Sequence, residues 1–366
     1  MADAWMLMET SPGDARAPFV ARFESIGRTL PEHRVTTAEV MESTRHHTRI
    51  DLERLTGIHE RRVVGEGENS VTLATDAALD CLEHSDHTAA DLDVIVNCSI
   101  TKYRDGLVSR YEPTQSQAVA QAIGAPQAMT FDLSNACAGM LTGVFVLNNW
   151  IRRGTIRRGM VVSGECISGL GHNAAAHVRH ILSREMASLT LGDAGVAAII
   201  ERAPNGVPGI RTAGFTTLSE HSRLCLAYPA RREPGARMFT RARAIHQAAI
   251  SSIPPLLRET LDAAGLEMSD IDWVIPHQTS ARAIRKGMAE VSDALEDAPK
   301  HPAVVTVDQF GNTASTTHFV ALYQYLQDGL MREGERVALL ALASGLEIGT
   351  VIFTVDEMVA RYGHEH

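Results

Sequence analysis

Short apolar runs recur along the chain, separated by stretches whose apolar residues fall three and four positions apart. "DVIVNCSI" (93–100), "GMVVSGE" (159–165) and "RVALLALA" (336–343) are the clearest runs. They lack the strict alternation of a half-exposed strand, so each reads as a strand covered on both faces. "LTGVFVLNNWIRRG" (141–154) has the spacing of an amphipathic helix. Strands alternating with such helices predict an α/β protein.

The pattern occurs twice. "ADLDVIVNCS" (90–99) lines up with "SDIDWVIPHQ" (269–278), setting Asp93 against Asp272 at an offset of 179 residues. "MTFDLSNACAGM" (129–140) lines up with "VVTVDQFGNTAS" (304–315), with Asp132 against Asp308, and "GMVVSGECISG" (159–169) with "ERVALLALASG" (335–345), both at an offset of 176. A domain-sized period predicts a tandem duplication with its seam near "APNGVPG" (203–209), and a layered α/β sandwich with internal pseudo-symmetry. The expected division is a flexible tail over 1–20, a first half over 21–203 and a second over 204–366.

In such sheets ligands bind beyond the carboxyl ends of strands. Just past the duplicated strands stand Cys137, His277, Asn312 and, in "ASGLEIG", Gly345. Cys137 is expected to open a helix over 137–153, where unpaired N–H groups and the dipole favour a thiolate, a nucleophile toward thioesters. A His and an Asn, both donating, suit a developing enolate or oxyanion. Gly345 lets a backbone N–H approach a thioester oxygen beside that of Cys137. A lone cysteine at a buried turn is more often core, as is a lone histidine at a strand end. The coincidence of three such residues at related strand ends reverses that reading. Cys98 and Cys166 have no such company and read as core thiols.

Composition narrows the field. The chain has 366 residues, 45% of them hydrophobic and 21% charged, enough for a large core. A net charge of −10 argues against nucleic acid as main partner. Five cysteines without a C-x-x-C pair fit a reducing cytoplasm and no zinc site. No apolar run is long enough for a membrane span, and the opening residues do not read as a signal peptide. The histidines of "RHH" (45–47), "HNAAAHVRH" (172–180) and "HEH" (364–366) lack metal-site spacing, and "GEGENS" (65–70) lacks the third glycine of a dinucleotide loop. The stretch from about 170 to 188 reads as irregular, either shaping a pocket or lying on the surface.

"NACAGM", "IPHQTSARAI", "FGNTAS" and "ASGLEIG", in this order, resemble the active-site blocks of β-ketoacyl-ACP synthase III-like enzymes of the thiolase superfamily. "LPEHRVTTAEV" (30–40), "LTGIHERR" (55–62) and "LGDAGVAAII" (191–200) extend the resemblance over nearly the whole chain from about residue 24. It implies a five-layered αβαβα fold, a homodimer, and a Cys137–His277–Asn312 triad. It also implies acyl-CoA or acyl carrier protein thioesters as substrates, with no resident cofactor. An acyl group loaded on Cys137 would undergo Claisen condensation with a second thioester.

Two departures bear on the reaction. Where the family carries a Trp and an Arg that hold coenzyme A, this chain has Asp51 and Leu55. Arg282, near Arg285 and Lys286, matches a basic family position at the tunnel mouth, and its face also reads as plain solvated surface. Glu112 lies 25 residues before Cys137, where relatives carry an apolar residue reaching the neighbouring subunit's pocket. A glutamate there resembles the branch that joins two fatty acyl-CoA chains head to head. That branch needs a base, because joining two plain acyl thioesters requires removal of an α-proton, whereas a malonyl extender loses CO2 instead. The residues leave open decarboxylative condensation, acyl transfer in secondary metabolism, the joining of carrier-bound polyketide chains, and a Cys-His-Asn thiol hydrolase, although "NACAGM" is unlike the cysteine setting of papain-like proteases. A non-catalytic subunit that shapes chain length ranks last, since the nucleophile is kept.

Overall fold

The computed structural model describes residues 6–8, 18–46 and 49–363. Most of the expected tail, His47 and the terminal "HEH" lie outside them. Twelve of the strands and six of the helices frame the site. In chain order the strands are β1 (Met6–Met8), β2 (Ala21–Thr29), β3 (Val94–Asn97), β4 (Met129–Asp132), β5 (Arg158–Glu165), β6 (Ala194–Arg202), β7 (Ile210–Thr217), β8 (Cys225–Pro229), β9 (Ala236–Thr240), β10 (Trp273–Pro276), β11 (Arg336–Ala343) and β12 (Glu347–Thr354). The helices are α1 (Ser70–Glu83), α2 (Gln115–Ile123), α3 (Gly139–Arg152), α4 (Ala242–Ala264), α5 (Ala281–Leu295) and α6 (Thr317–Gln327).

Two five-stranded sheets carry the same plan. The first runs β2–β6–β5–β3–β4 and the second β1–β7–β12–β11–β10. In each, a parallel pair meets an antiparallel one: β3 with β5 and β5 with β6, then β10 with β11 and β11 with β12. Of the expected tail, Met6–Met8 forms a strand, pairing antiparallel with β7 at the edge of the second sheet.

Strand residues alternate between two cores, as a period of two dictates. Val94 and Val96 face a central core while Ile95 faces an outer one under α1 and α2. Val337, Leu339 and Ala341 face the same central core, and Ala338 and Leu340 an outer one beneath α4 and α5. Helices α3 and α6 fill the central layer with Leu141, Val144, Leu147, Phe319 and Leu322. The layers run helix, sheet, helix, sheet, helix, the thiolase-like α/β architecture that the resemblance implies.

Helix α1 shows how the sequence builds one outer layer. Asn69 caps it, its Oδ1 accepting from the N–H groups of Val71 and Thr72 at 2.9 and 3.1 Å. Its buried stripe, Leu73, Ala74, Ala77, Ala78 and Cys81, is mostly small. On the sheet beneath, Gly27, Gly195 and Gly164 lie so close that a Cβ would come within 2.0 to 2.1 Å of the carbonyls of Ala77, Leu73 and Ser70. Glycine is required there by proximity of backbone to backbone.

Two expectations need correction. The duplicated segments are offset by 178 residues over β5 and β11 (Arg158 against Arg336), two more than the apolar pattern suggests. At the earlier strands the offset of 179 holds: Asp93 accepts from the Arg158 N–H at 2.9 Å, and Asp272 from the Arg336 N–H at 2.8 Å. The stretch after 168, read as irregular, begins with a helix over Ser168–Ala175. Its Gly169 and Gly171 hide that helix; Gly171 is a packing requirement, with the Ser188 carbonyl where a Cβ would go, while Gly169 lies against the end of the Leu107 side chain.

Candidate active site

Two matching elbows form the centre of the molecule. Each begins with an alanine in the left-handed region, Ala136 (φ 44°) and Ala314 (φ 57°), where a Cβ is strained. Each continues as one 3₁₀ turn, Ala136–Ala138 and Ala314–Thr316, and then as α3 or α6. Cys137 therefore sits in the turn before its helix, which starts at Gly139 rather than at 137. The two turns pack on one another, and that of Cys137 also packs on β11 and β12.

Asn312 is held from both sides. It forms an isolated parallel bridge with Leu191. Its N–H donates to Thr190 O at 2.9 Å, and its carbonyl accepts from Gly192 N at 3.1 Å. Its side-chain Oδ1 accepts from Ala314 N at 2.9 Å. That bond fixes the amide's orientation and leaves the Nδ2 hydrogens as donors without a partner among the described residues. Cys137 packs against a cluster that contains both Leu191 and Ala314, the residues that hold Asn312. Arg61, buried without a carboxylate partner among the described residues, steadies the turn before Leu191 by donating to Leu189 O at 2.9 Å and Thr37 Oγ1 at 2.8 Å. Burial pulls its pKa down to about 10.

His277 closes β10, and its N–H donates to Leu340 O of β11 at 2.8 Å. The imidazole is buried, its Nδ1 has no protein partner, and its pKa falls to about 3 because burial, then the nearby His318, disfavours the cation. It is a neutral ring at physiological pH. The Cys137 thiol departs from the expected thiolate. Burial first, then Cys225 and Glu165, push its pKa up to about 12. The resting group is a thiol. Gly345, with φ 140°, follows β11 in the turn to β12, and Leu346 O next to it accepts from Leu218 N at 2.8 Å.

Arg282 opens α5 and lines a cavity of 520 Å³ together with Arg49, Asp51, Arg54, Leu55 and Arg179. Asp51 caps a short helix by accepting from the Arg54 N–H at 2.9 Å. Three of these arginines, at 49, 54 and 179, escaped the sequence reading. Their only trace is the spacing of basic residues in "TRIDLER" and "HVRH", which does not distinguish a pocket from a solvated face. Glu112 lies exposed between β-hairpin residues 103–109 and α2, outside the cluster around Cys137. Arg104 fixes that loop by donating to Pro113 O at 2.7 Å.

The other candidates fall away. Cys98 and Cys166 are buried, and burial raises both thiols. Cys98 packs beneath α3, where Gly139 and Gly143 leave room for it. His177 pairs with Glu233 at 3.1 Å and His46 accepts from Arg179 Nε at 3.3 Å. No group of potential metal ligands occurs among the described residues, and no described helix is long and apolar enough to cross a membrane. Two buried groups that the sequence reading passed over stand beside the site. Ser315 bonds Ser163 Oγ at 2.8 Å and donates to Glu165, and the Glu165 carboxyl is raised by burial while also accepting from Ile100 N, Thr101 N and Thr101 Oγ1. The second is His318.

Comparison with known proteins agrees with this architecture. Residues 131–217 match the 3-oxoacyl-[acyl-carrier-protein] synthase III family and residues 261–355 its C-terminal counterpart. The β-ketoacyl-[acyl-carrier-protein] synthase III of Rhizorhabdus wittichii is 27% identical over 327 residues, covering 88% of this chain and 95% of that protein. That of Pseudoalteromonas atlantica is 28% identical over 297 residues, covering 79% and 86%. Among solved structures, 3-oxoacyl-[acyl-carrier-protein] synthase III from Aquifex aeolicus superposes with a TM-score of 0.77 at 22% identity, covering 92% of this chain and 100% of that one. OleA from Xanthomonas campestris superposes at 0.80 and 21%, covering 94% and 100%. An OleA variant crystallised with lauric acid and lauroyl-CoA superposes at 0.79 and 22%, covering 92% and 99%. Two family matches in the right order, one over each elbow, on a thiolase-like fold show that this chain carries 3-oxoacyl-ACP synthase III-like domains, similar to those of acyltransferases of the thiolase superfamily.

Proposed function

We propose that the chain is a condensing enzyme that carries an acyl group on Cys137 and joins it to a second acyl thioester. In the first half-reaction the Cys137 sulfur attacks the thioester carbonyl. The C–S bond to the carrier breaks, and the thiol proton leaves with the departing thiol, so no resting thiolate is needed. The Cys137 and Gly345 N–H groups serve as the oxyanion hole. In the second half-reaction His277 and Asn312 donate to the carbonyl oxygen of the second thioester as it becomes an enolate. The enolate carbon attacks the acyl-Cys137 carbonyl, and the cysteine leaves and regains a proton. One observation carries this reading: the Asn312 amide has its oxygen tied to Ala314 N, and its hydrogens have no partner among the described residues. Such a donor suits an enolate, which simple acyl transfer does not form.

Glu112 acts as the base that removes the α-proton, reaching the site from a second copy of the chain in a homodimer. Its exposed loop, with Val108 and Tyr111 also exposed, and the open edge of β4 suit contact with such a copy. The substrates are acyl-CoA thioesters or their carrier-protein equivalents. The arginines around Arg282 suit the phosphates of either, and a structurally similar OleA variant binds lauroyl-CoA.

The test is incubation with lauroyl-CoA alone and with malonyl-CoA added, followed by mass spectrometry of protein and products. A lauroyl adduct on Cys137 and a β-keto product from lauroyl-CoA alone are expected, the product lost in Glu112→Gln while the adduct persists. Product only in the presence of malonyl-CoA removes Glu112 from the mechanism and leaves the decarboxylative reaction. Release of free laurate with no β-keto product under either condition indicates a hydrolase.

A further inference from the structure

The ring next to His277 is a second imidazole with no role in the reaction just described. His318, the second residue of α6, is fully buried, and its ring centre lies 5.8 Å from that of His277 with the planes tilted by 35°. One carbonyl serves both residues. Leu340 O accepts the His277 backbone N–H at 2.8 Å and lies 3.1 Å from His318 Nε2. A carbonyl oxygen only accepts, so His318 Nε2 must carry a hydrogen. Its ring is neutral, since burial pulls the pKa down to about 4. His318 Nδ1 is therefore a lone pair. That atom and His277 Nδ1 are both buried without a protein partner.

A buried ring nitrogen without a hydrogen-bond partner is costly, so two in adjacent rings are not left unmet without a reason. A group with two hydrogens satisfies both at once, and the ring spacing suits one buried water. We propose that His318 is a positioning residue that sets the tautomer of His277: one water, held between the two Nδ1 atoms, donates to both and keeps the His277 hydrogen on Nε2. This deepens the condensing reading, on which its functional part rests. A neutral His277 offers a donor to the enolate oxygen only if Nε2 carries the hydrogen. In that form it does not accept the Cys137 proton through Nε2, so His318 matters for condensation and not for acyl loading.

The experiment uses full-length protein labelled with ¹⁵N-histidine and long-range ¹H–¹⁵N correlation at pH 7.5, the two rings assigned with His277→Asn and His318→Gln. Both rings are expected as Nε2–H tautomers, and a hydrogen on His277 Nδ1 overturns the proposal. In parallel, His318→Phe is expected to slow condensation at least tenfold while the rate of lauroyl loading on Cys137 stays within twofold. His318→Gln, which keeps an amide donor for Leu340 O and an acceptor beside it, is expected to restore most of the loss. An equal loss in both half-reactions, or none in either, overturns the proposal. Absence of loading in the wild type would instead defeat the assignment of Cys137, and the tautomer measurement would still decide the role of His318, including where His318→Phe fails to fold.

Discussion

Ser315 occupies in the second half the position that Cys137 occupies in the first. Each follows a left-handed alanine and stands at the middle of a 3₁₀ turn that leads into a central helix. Their fates differ through burial and bonding. Ser315 is wholly buried, bonding Ser163 and Glu165, while Cys137 is only half-buried and its side chain bonds no other residue among those described. One elbow braces the interface between halves and the other is free to react.

Ser315→Ala leaves Glu165 without one of its donors in the interior. We expect a loss of about 1–3 kcal/mol in unfolding free energy. Thermal or denaturant unfolding reads this loss. Acyl adducts still form on Cys137, which separates the brace from the nucleophile.

The Cys137 thiol resists ionisation because its surroundings desolvate the anion. An exposed cysteine reaches full alkylation rate soon above a pKa of about 8.5. With Cys137 pushed up to about 12, its iodoacetamide rate is slow at pH 7.5 and still climbs tenfold per pH unit near pH 10. Peptide mapping after timed alkylation measures it. A plateau below pH 9 contradicts the burial argument.

His277 and His318 make the fold sensitive to acid. Their folded pKa values, about 3 and about 4, lie below the ordinary 6.5, so below pH 6.5 the unfolded chain binds more protons than the native one. Stability from these two rings is complete above that pH. It drains as pH falls toward 4, by about 1.4 kcal/mol per pH unit for each ring. Wild type and His277→Asn compared by urea unfolding at pH 6.5, 5.5 and 4.5 test this. The variant's dependence is expected to be shallower by one ring's share.

The cavity arginines predict a charge-dependent KM. Arg54→Ala and Arg179→Ala each remove a cation from the wall that holds Arg282. Each is expected to raise KM for acyl-CoA about fivefold, equivalent to roughly 1 kcal/mol. The effect fades in high salt and is absent for a short thioester without phosphates. Steady-state kinetics with both donors distinguishes a phosphate site from an incidental basic face.

Much of this was legible along the chain because it depends on local pattern. Apolar runs made the strands visible, their repetition made the two halves visible, and reactive residues past strand ends singled out Cys137, His277 and Asn312. The register between halves was not legible to the residue: small residues in both elbows match equally well two positions apart, and only the φ values of Ala136 and Ala314 select the offset of 178.

Charge state and company were decided by the tertiary structure. Nothing near Cys137 in sequence says that its thiol is held neutral, because desolvation and the fields of Glu165 and Cys225 come from segments brought in by folding. Arg49, Arg54, Arg179 and Arg282 share a wall though they span more than 230 positions. His318 and His277 face one another only because α6 and β10 both lie against β11. Periodicity reports which face of an element is apolar, and only packing decides which polar groups share a dielectric and a hydrogen bond.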